Sequence, residues 1–71
     1  MFILQEIQTN ENDQAAFLPP VVRETRPEIE SVFYQTCANA VVSAVPIHTV
    51  MVYTEEGFLI PDLTKCFKHF E

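Results

Sequence analysis

Residues 25–54 read TRPEIESVFYQTCANAVVSAVPIHTVMVYT, and this stretch decides the fold class. Thr25 and Glu28 have the spacing of a capping box, in which the threonine oxygen accepts a hydrogen bond from the backbone three residues on and the glutamate reaches back. Pro27 suits a first helical turn, because its missing N–H would have no intrahelical partner there. Together these signals predict a helix that begins at about Arg26.

Apolar residues recur through the helical part of this stretch at spacings of three and four, which is the pattern of one buried helical face. We expect the helix to run to about Ala44, because Pro46 cannot continue it. The predicted buried face consists of Ile29, Val32, Phe33, Cys37, Ala40, Val41 and Ala44. A second apolar line on the helix consists of Tyr34, Ala38 and Val42, with Val45 just past its end.

The end of the same stretch, Ile47–Thr54, is rich in β-branched residues and predicts a central strand. The first predicted strand is 2–9. The second is a broken edge strand over 14–18, which Pro19 and Pro20 interrupt and which Val21 and Val22 resume. The last is 58–60, after a hairpin loop at 55–57; Pro61 and Asp62 end it, and 66–70 is expected to pair again as a short final stretch. We therefore expect an α+β fold, a four-stranded and mostly antiparallel sheet with one helix packed on one face. The element order is β-β-α-β-β, in a single domain over residues 1–71.

Two of the predicted strands carry apolar residues on both of their faces. Strand 2–9 has Phe2 and Leu4 on one side and Ile3 and Ile7 on the other, and strand 47–54 is similar. A half-buried antiparallel strand alternates apolar with polar residues, whereas a strand buried on both faces does not. Since one helix covers one face only, the sequence predicts a homo-oligomer, most simply a twofold dimer.

The composition limits the classes of partner. Four basic residues stand against ten acidic ones, which gives a formal net charge of −6. Grooves that bind nucleic acid need a basic stripe, so we expect no direct nucleic-acid binding. No apolar run approaches the roughly 18–20 residues that span a bilayer, and the start of the chain lacks the basic region of a signal peptide. Two cysteines are too few for a disulfide scaffold, which favours a cytoplasmic protein with reduced thiols.

The chain also resembles a family of short proteins. The resembling segments are EIQTN at 6–10, the helix segment 30–43 with its aromatic pair Phe33 and Tyr34 and the run ANAVVSAVP at 38–46, His48, the turn Glu56-Gly57, and Phe67 with His69. On these segments the sequence is similar to hypothetical proteins of Firmicutes phages and prophages. It departs from them at Pro19-Pro20 and in a longer stretch at 60–64. The family has no established activity, so the resemblance implies a small accessory protein of a mobile element, working in the host cytoplasm.

No set of residues typical of catalysis is found. Cys37 lies on the predicted buried helix face, where a thiol is inert packing, and no serine lies in a nucleophile elbow. Cys66 and His69 have the spacing of one half of a zinc site. The other half is missing as a motif, since His48 and Cys37 are only single donors. We expect a protein that is not an enzyme and holds no metal or cofactor.

The basic residues near the helix start suggest an anion site. Arg23 and Arg26 flank the helix N-terminus, where free N–H groups and the helix dipole favour an anion, and two guanidinium groups suit a phosphate or carboxylate. The predicted ligand-binding residues are Arg23, Arg26, His48, Lys68 and His69, some of them contributed by a partner protomer. The alternative is that both arginines only balance the glutamates beside them.

Three functions follow as hypotheses. The leading one is a non-enzymatic phage-type accessory protein for counter-defence, which binds and sequesters a nucleotide-derived immune signalling molecule of the host in pockets between protomers. The second is an acidic protein–protein inhibitor of a host defence or nucleic-acid enzyme. The third is a structural accessory protein without a ligand. The carboxylates at the loop tips are interpreted as solvated charge that keeps an apolar domain in solution.

Overall fold

The computed structural model describes residues 1–68 as one helix and one five-stranded antiparallel sheet. The elements are β1 (Phe2–Thr9), β2 (Ala15–Phe17), β3 (Val21–Arg23), α1 (Arg26–Val41), β4 (Ile47–Thr54) and β5 (Leu59–Lys68). The sheet order is β2-β1-β4-β5, and β3 also pairs with β1. The α+β class, the single helix and the antiparallel pairing are therefore confirmed, with five strands where four were predicted.

The fifth strand arises because the second predicted strand is divided in two. β2 and β3 pair with opposite ends of the same edge of β1, through Ile7 with Phe17 and Leu4 with Val21. Pro19 and Pro20 lie between them. The backbone N–H of Leu18 donates to the Glu6 carbonyl at 3.0 Å, which holds the connection against β1. The predicted broken edge strand is thus present, as two short strands.

The helix begins as its sequence predicts. The Glu28 backbone N–H donates to Thr25 Oγ1 at 3.4 Å, and the Thr25 N–H donates to Glu28 Oε1 at 3.2 Å, so the capping box is complete. Both bonds satisfy N–H groups that have no partner within the helix.

The helix ends at Val41, three residues before the predicted Ala44. The backbone N–H of Ser43 donates to the Ala40 carbonyl, and the N–H of Val45 donates to Ser43 Oγ at 3.1 Å. A local hydroxyl thus satisfies the backbone in a turn in place of the helical ladder. The prediction that Val41 and Ala44 lie on the buried face was wrong, since both are exposed.

The predicted break at Pro61-Asp62 was also wrong, because β5 is continuous across it. A register shift between Met51 and Tyr53 of β4 absorbs the irregularity. β5 is an edge strand, and a proline is tolerated at such an edge or bulge because no neighbour needs its missing N–H. Gly57 supplies the positive φ of +93° in the preceding loop. Phe70, at the end of the predicted last stretch, lies outside the described residues.

The hydrophobic core lies between the helix and one face of the sheet. Its fully buried members are Ile29 and Phe33 from α1 against Leu4, Val50, Val52 and Leu63 from the strands. Residues that pair in antiparallel register point to the same side of the sheet. The registers therefore place a second set on the opposite side, which we call the open sheet face: Ile3, Gln5, Ile7, Thr9, Ala15, Phe17, Val22, Ile47, Thr49, Met51, Tyr53, Leu59, Thr64, Cys66 and Lys68.

Candidate functional site

The two arginines lie at the end of the sheet where the helix begins. Arg23 pairs with Phe2 in the ladder, and its Nη1 donates to the adjacent Val22 carbonyl at 2.8 Å. Arg26 Nε donates to Glu30 Oε2 at 3.0 Å, and its Nη2 is 4.0 Å from Asp62 Oδ2. Arg26 is therefore engaged by carboxylates of its own chain, which agrees with the balancing alternative for this residue.

The structure places His48 in the interior. Its side chain projects from β4 toward the helix, and the residue is only 2% exposed. His48 Nδ1 lies 2.7 Å from Glu6 Oε2, and Gln8 Nε2 donates to the same oxygen at 3.3 Å. Glu6 and Gln8 stand on β1, beside β4. A buried polar group needs such a partner, so this pair is a structural element of the interior and does not line a surface.

Sequence reasoning missed the role of Glu6. Glu6 is two residues from Leu4 on β1, and His48 is two residues from Val50 on β4, so each lies on the same side of the sheet as a core residue of its own strand. That alternation was the available signal. It became informative only once β1 and β4 were known to be neighbours in a fixed register.

Four of the five predicted ligand-binding residues are described, and these four do not form one site within one chain. Lys68 pairs with Ile47 on the open sheet face, at the end of the sheet opposite the arginines. His48 lies under the helix, on the other side of the sheet. His69 lies outside the described residues. Among the four that the structure describes, Arg23 and Arg26 lie at the same end of the sheet.

The two cysteines have different surroundings. Burial raises the pKa of the Cys37 thiol above its usual value of 9.0, with Glu6 adding to the rise and Lys65 opposing it. Cys66 is exposed on the edge strand, and Thr49 Oγ1 lies 3.6 Å from its Sγ. Among residues 1–68, no three His, Cys, Asp or Glu side chains are grouped to hold a metal ion. The predicted half-site of Cys66 and His69 extends beyond the described residues.

Most of the acidic side chains surround one end of the molecule, which we call the acidic end. Phe2 of β1 pairs with Thr54 of β4 and Arg23 of β3 there, and the hairpin loop and the start of α1 adjoin it. Its carboxylates are Glu24, Glu28, Glu30, Glu55, Glu56 and Asp62. Arg23 and Arg26 are the basic side chains among them. This end is therefore negative, and so repels an anion at a distance.

The open sheet face is the other distinct surface. Phe17 is 70% exposed and Leu59 52% exposed, while Ile3, Ile7 and Met51 are covered only in part by their neighbours. In residues 1–68 the helix is the one element outside the sheet, and it packs on the opposite side. Exposed apolar side chains grouped on one face are typical of an interaction surface.

Comparison with models of protein families, with curated proteins and with solved structures finds no match to this chain. Within the described part of the chain, α1 is too short and too polar to span a membrane, and it is the one helix there. The acidic end and the open sheet face are the two distinct surfaces of the described residues.

Proposed function

We propose that this chain is a non-enzymatic accessory protein that binds a basic surface of another protein through its acidic end. The observation that carries the proposal is the grouping of six of its carboxylates around one end of the sheet. Opposite charge steers two proteins together and aligns their surfaces. The resemblance to phage proteins supports a host defence or nucleic-acid enzyme as the partner, since a surface that binds nucleic acid is basic.

The placement of the carboxylates suits such a contact. Glu55, Glu56 and Asp62 are exposed, and the Asp62 side chain is 88% exposed. They project from the hairpin loop and the edge strand, where Glu55 Oε1 lies 3.5 Å from the Met1 amino group and Asp62 Oδ2 lies 4.0 Å from Arg26 Nη2. Both are exposed, solvent-screened contacts that a basic partner can replace. Exposed charges at these positions act mainly on the rate and specificity of association and are screened by salt.

A second function, capture of an anionic nucleotide-derived molecule, is favoured by Arg23. Its guanidinium group is exposed, and its Nη1 donates to the adjacent Val22 carbonyl at 2.8 Å. The guanidinium therefore retains donors for a phosphate. The surrounding glutamates oppose this function, so it ranks second. A structural accessory role remains the third proposal.

The test of the first function is an affinity capture from the lysate of a Firmicutes host. We expect the tagged protein to retain a basic protein that raised salt releases. The variant Glu55→Gln/Glu56→Gln/Asp62→Asn should reduce the captured amount at least about tenfold, because it removes the steering charge. The control is Glu11→Gln/Asp13→Asn, which removes two acidic side chains from the β1–β2 turn at the other end of the sheet. It should capture as the parent does.

If the parent captures no basic protein, or if both variants capture equally reduced amounts of it, binding through the acidic end is contradicted. The second function is tested in parallel by thermal shift with cyclic dinucleotides and ADP-ribose. A melting temperature that rises with the concentration of one of these compounds, and a rise that Arg23→Ala abolishes, would replace the first function with anion capture.

A further inference from the structure

The open sheet face has the size of a specific protein interface. β1 and β4 have eight residues each, β5 has ten, and β2 with β3 forms a fourth row. At about 3.3 Å per residue and about 4.8 Å per strand, the flat footprint is about 26 Å by about 19 Å, or roughly 500 Å². Two such faces in contact cover roughly 1,000 Å², which is about the minimum for a biological interface. The relief of the side chains adds to this flat area.

The charges of this face suit a second copy of the same chain. Every position assigned to it by the strand registers is apolar or uncharged, except Lys68. The chain carries ten carboxylates, yet none occupies these paired positions. Two copies can therefore join here without burying a carboxylate or opposing two of them, although the chain as a whole is strongly acidic. A basic partner would find no opposite charge on this face.

We propose that a second copy of this chain packs on the open sheet face, forming a two-sheet sandwich about a twofold axis that crosses the strands. Packed sheets lie about 10 Å apart, so charges at their ends interact across the interface. An axis parallel to the strands would stack the two acidic ends on each other. An axis across the strands places Lys68 of one protomer over the partner's hairpin loop, with its two glutamates, and separates the acidic ends. Charge complementarity selects the second arrangement.

The two apolar surfaces of the chain are distinguished by a matched pair of variants. Met51→Glu places a carboxylate in the middle of the open sheet face, beside Gln5 in the ladder. Tyr34→Glu places one on the outer side of the helix, where the tyrosine is 62% exposed. Light scattering at micromolar concentration should give the parent and Tyr34→Glu twice the chain mass of 8.1 kDa. For Met51→Glu, the dissociation constant of the dimer should rise at least about tenfold, so the measured mass should fall toward that of the monomer.

Circular dichroism shows whether each variant is folded, and Thr49→Glu on the same face serves in place of Met51→Glu if that variant unfolds. A parent protein that stays at 8.1 kDa would overturn the proposal. Dissociation by Tyr34→Glu, with Met51→Glu unaffected, would also overturn it and assign the contact to the helix.

Discussion

The pair formed by Glu6 and His48 is a polar contact within the interior. Both residues lie on the helix side of the sheet, and 2.7 Å separates Glu6 Oε2 from His48 Nδ1. A polar group that is buried without a hydrogen-bond partner lowers the free energy of unfolding. A buried imidazole is therefore tolerated when a neighbouring side chain forms a hydrogen bond with it. The contact with Glu6 explains how His48 can be buried, and its position beneath the helix keeps it from a ligand at the surface.

The variant Glu6→Ala measures that contact. We expect it to lower the free energy of unfolding by about 1–3 kcal/mol, because it removes the partner of a buried ring nitrogen. Urea denaturation gives the value. Glu11→Ala is the matched control, since Glu11 is an exposed glutamate of the β1–β2 turn. It should stay within about 0.5 kcal/mol of the parent. Equal stability of both variants would mean that the pair contributes nothing to the fold.

At the scale of elements, the features that short-range chemistry determines were predictable from the sequence. The helix start depends on Thr25, Pro27 and Glu28, which act within one turn. The edge position of the strand broken by Pro19 and Pro20 follows from the missing N–H groups of proline. The core face from Ile29 to Ala40 followed from periodicity.

Other boundaries were not predictable, because they depend on contacts that spacing does not encode. The helix stops at Val41 because the Ser43 hydroxyl offers the backbone another partner. β5 continues through Pro61 because the register shift against β4 accommodates it at an edge. The placement of Lys68 far from the arginines likewise depends on the order of strands in the sheet.

The capping box provides a test at this scale. Thr25→Ala should lower the free energy of unfolding by about 1 kcal/mol, because the Glu28 backbone N–H loses its acceptor. Thr25→Ser keeps the hydroxyl and should stay within about 0.5 kcal/mol of the parent. Thermal or urea unfolding of the three proteins side by side gives the comparison. If serine and alanine destabilise equally, the hydroxyl does not cap the helix.

At the scale of the whole molecule, the proposed dimer and the proposed contact through the acidic end are compatible. The apolar residues on both sides of β1 and β4 predicted that a second protein surface packs on the sheet. The strand registers identify the open sheet face as the side that the helix leaves uncovered. With the twofold axis across the strands, each dimer presents its two acidic ends at opposite ends of the particle. Such a particle can bind two copies of a basic partner at once, and linked sites strengthen binding to a partner that is itself an oligomer.

The most direct test of the dimer is a distance between two spin labels. A nitroxide at Asn12→Cys, in a Cys66→Ser background, lies in the exposed β1–β2 turn at one end of the sheet. The Cys66→Ser protein alone controls for labelling of Cys37. With the axis across the strands, pulsed electron resonance should give a distance of at least about 25 Å, because the two turns lie a full strand length apart. A distance below about 20 Å would mean that like ends are stacked, and no dipolar coupling would mean that the open sheet face binds no second copy.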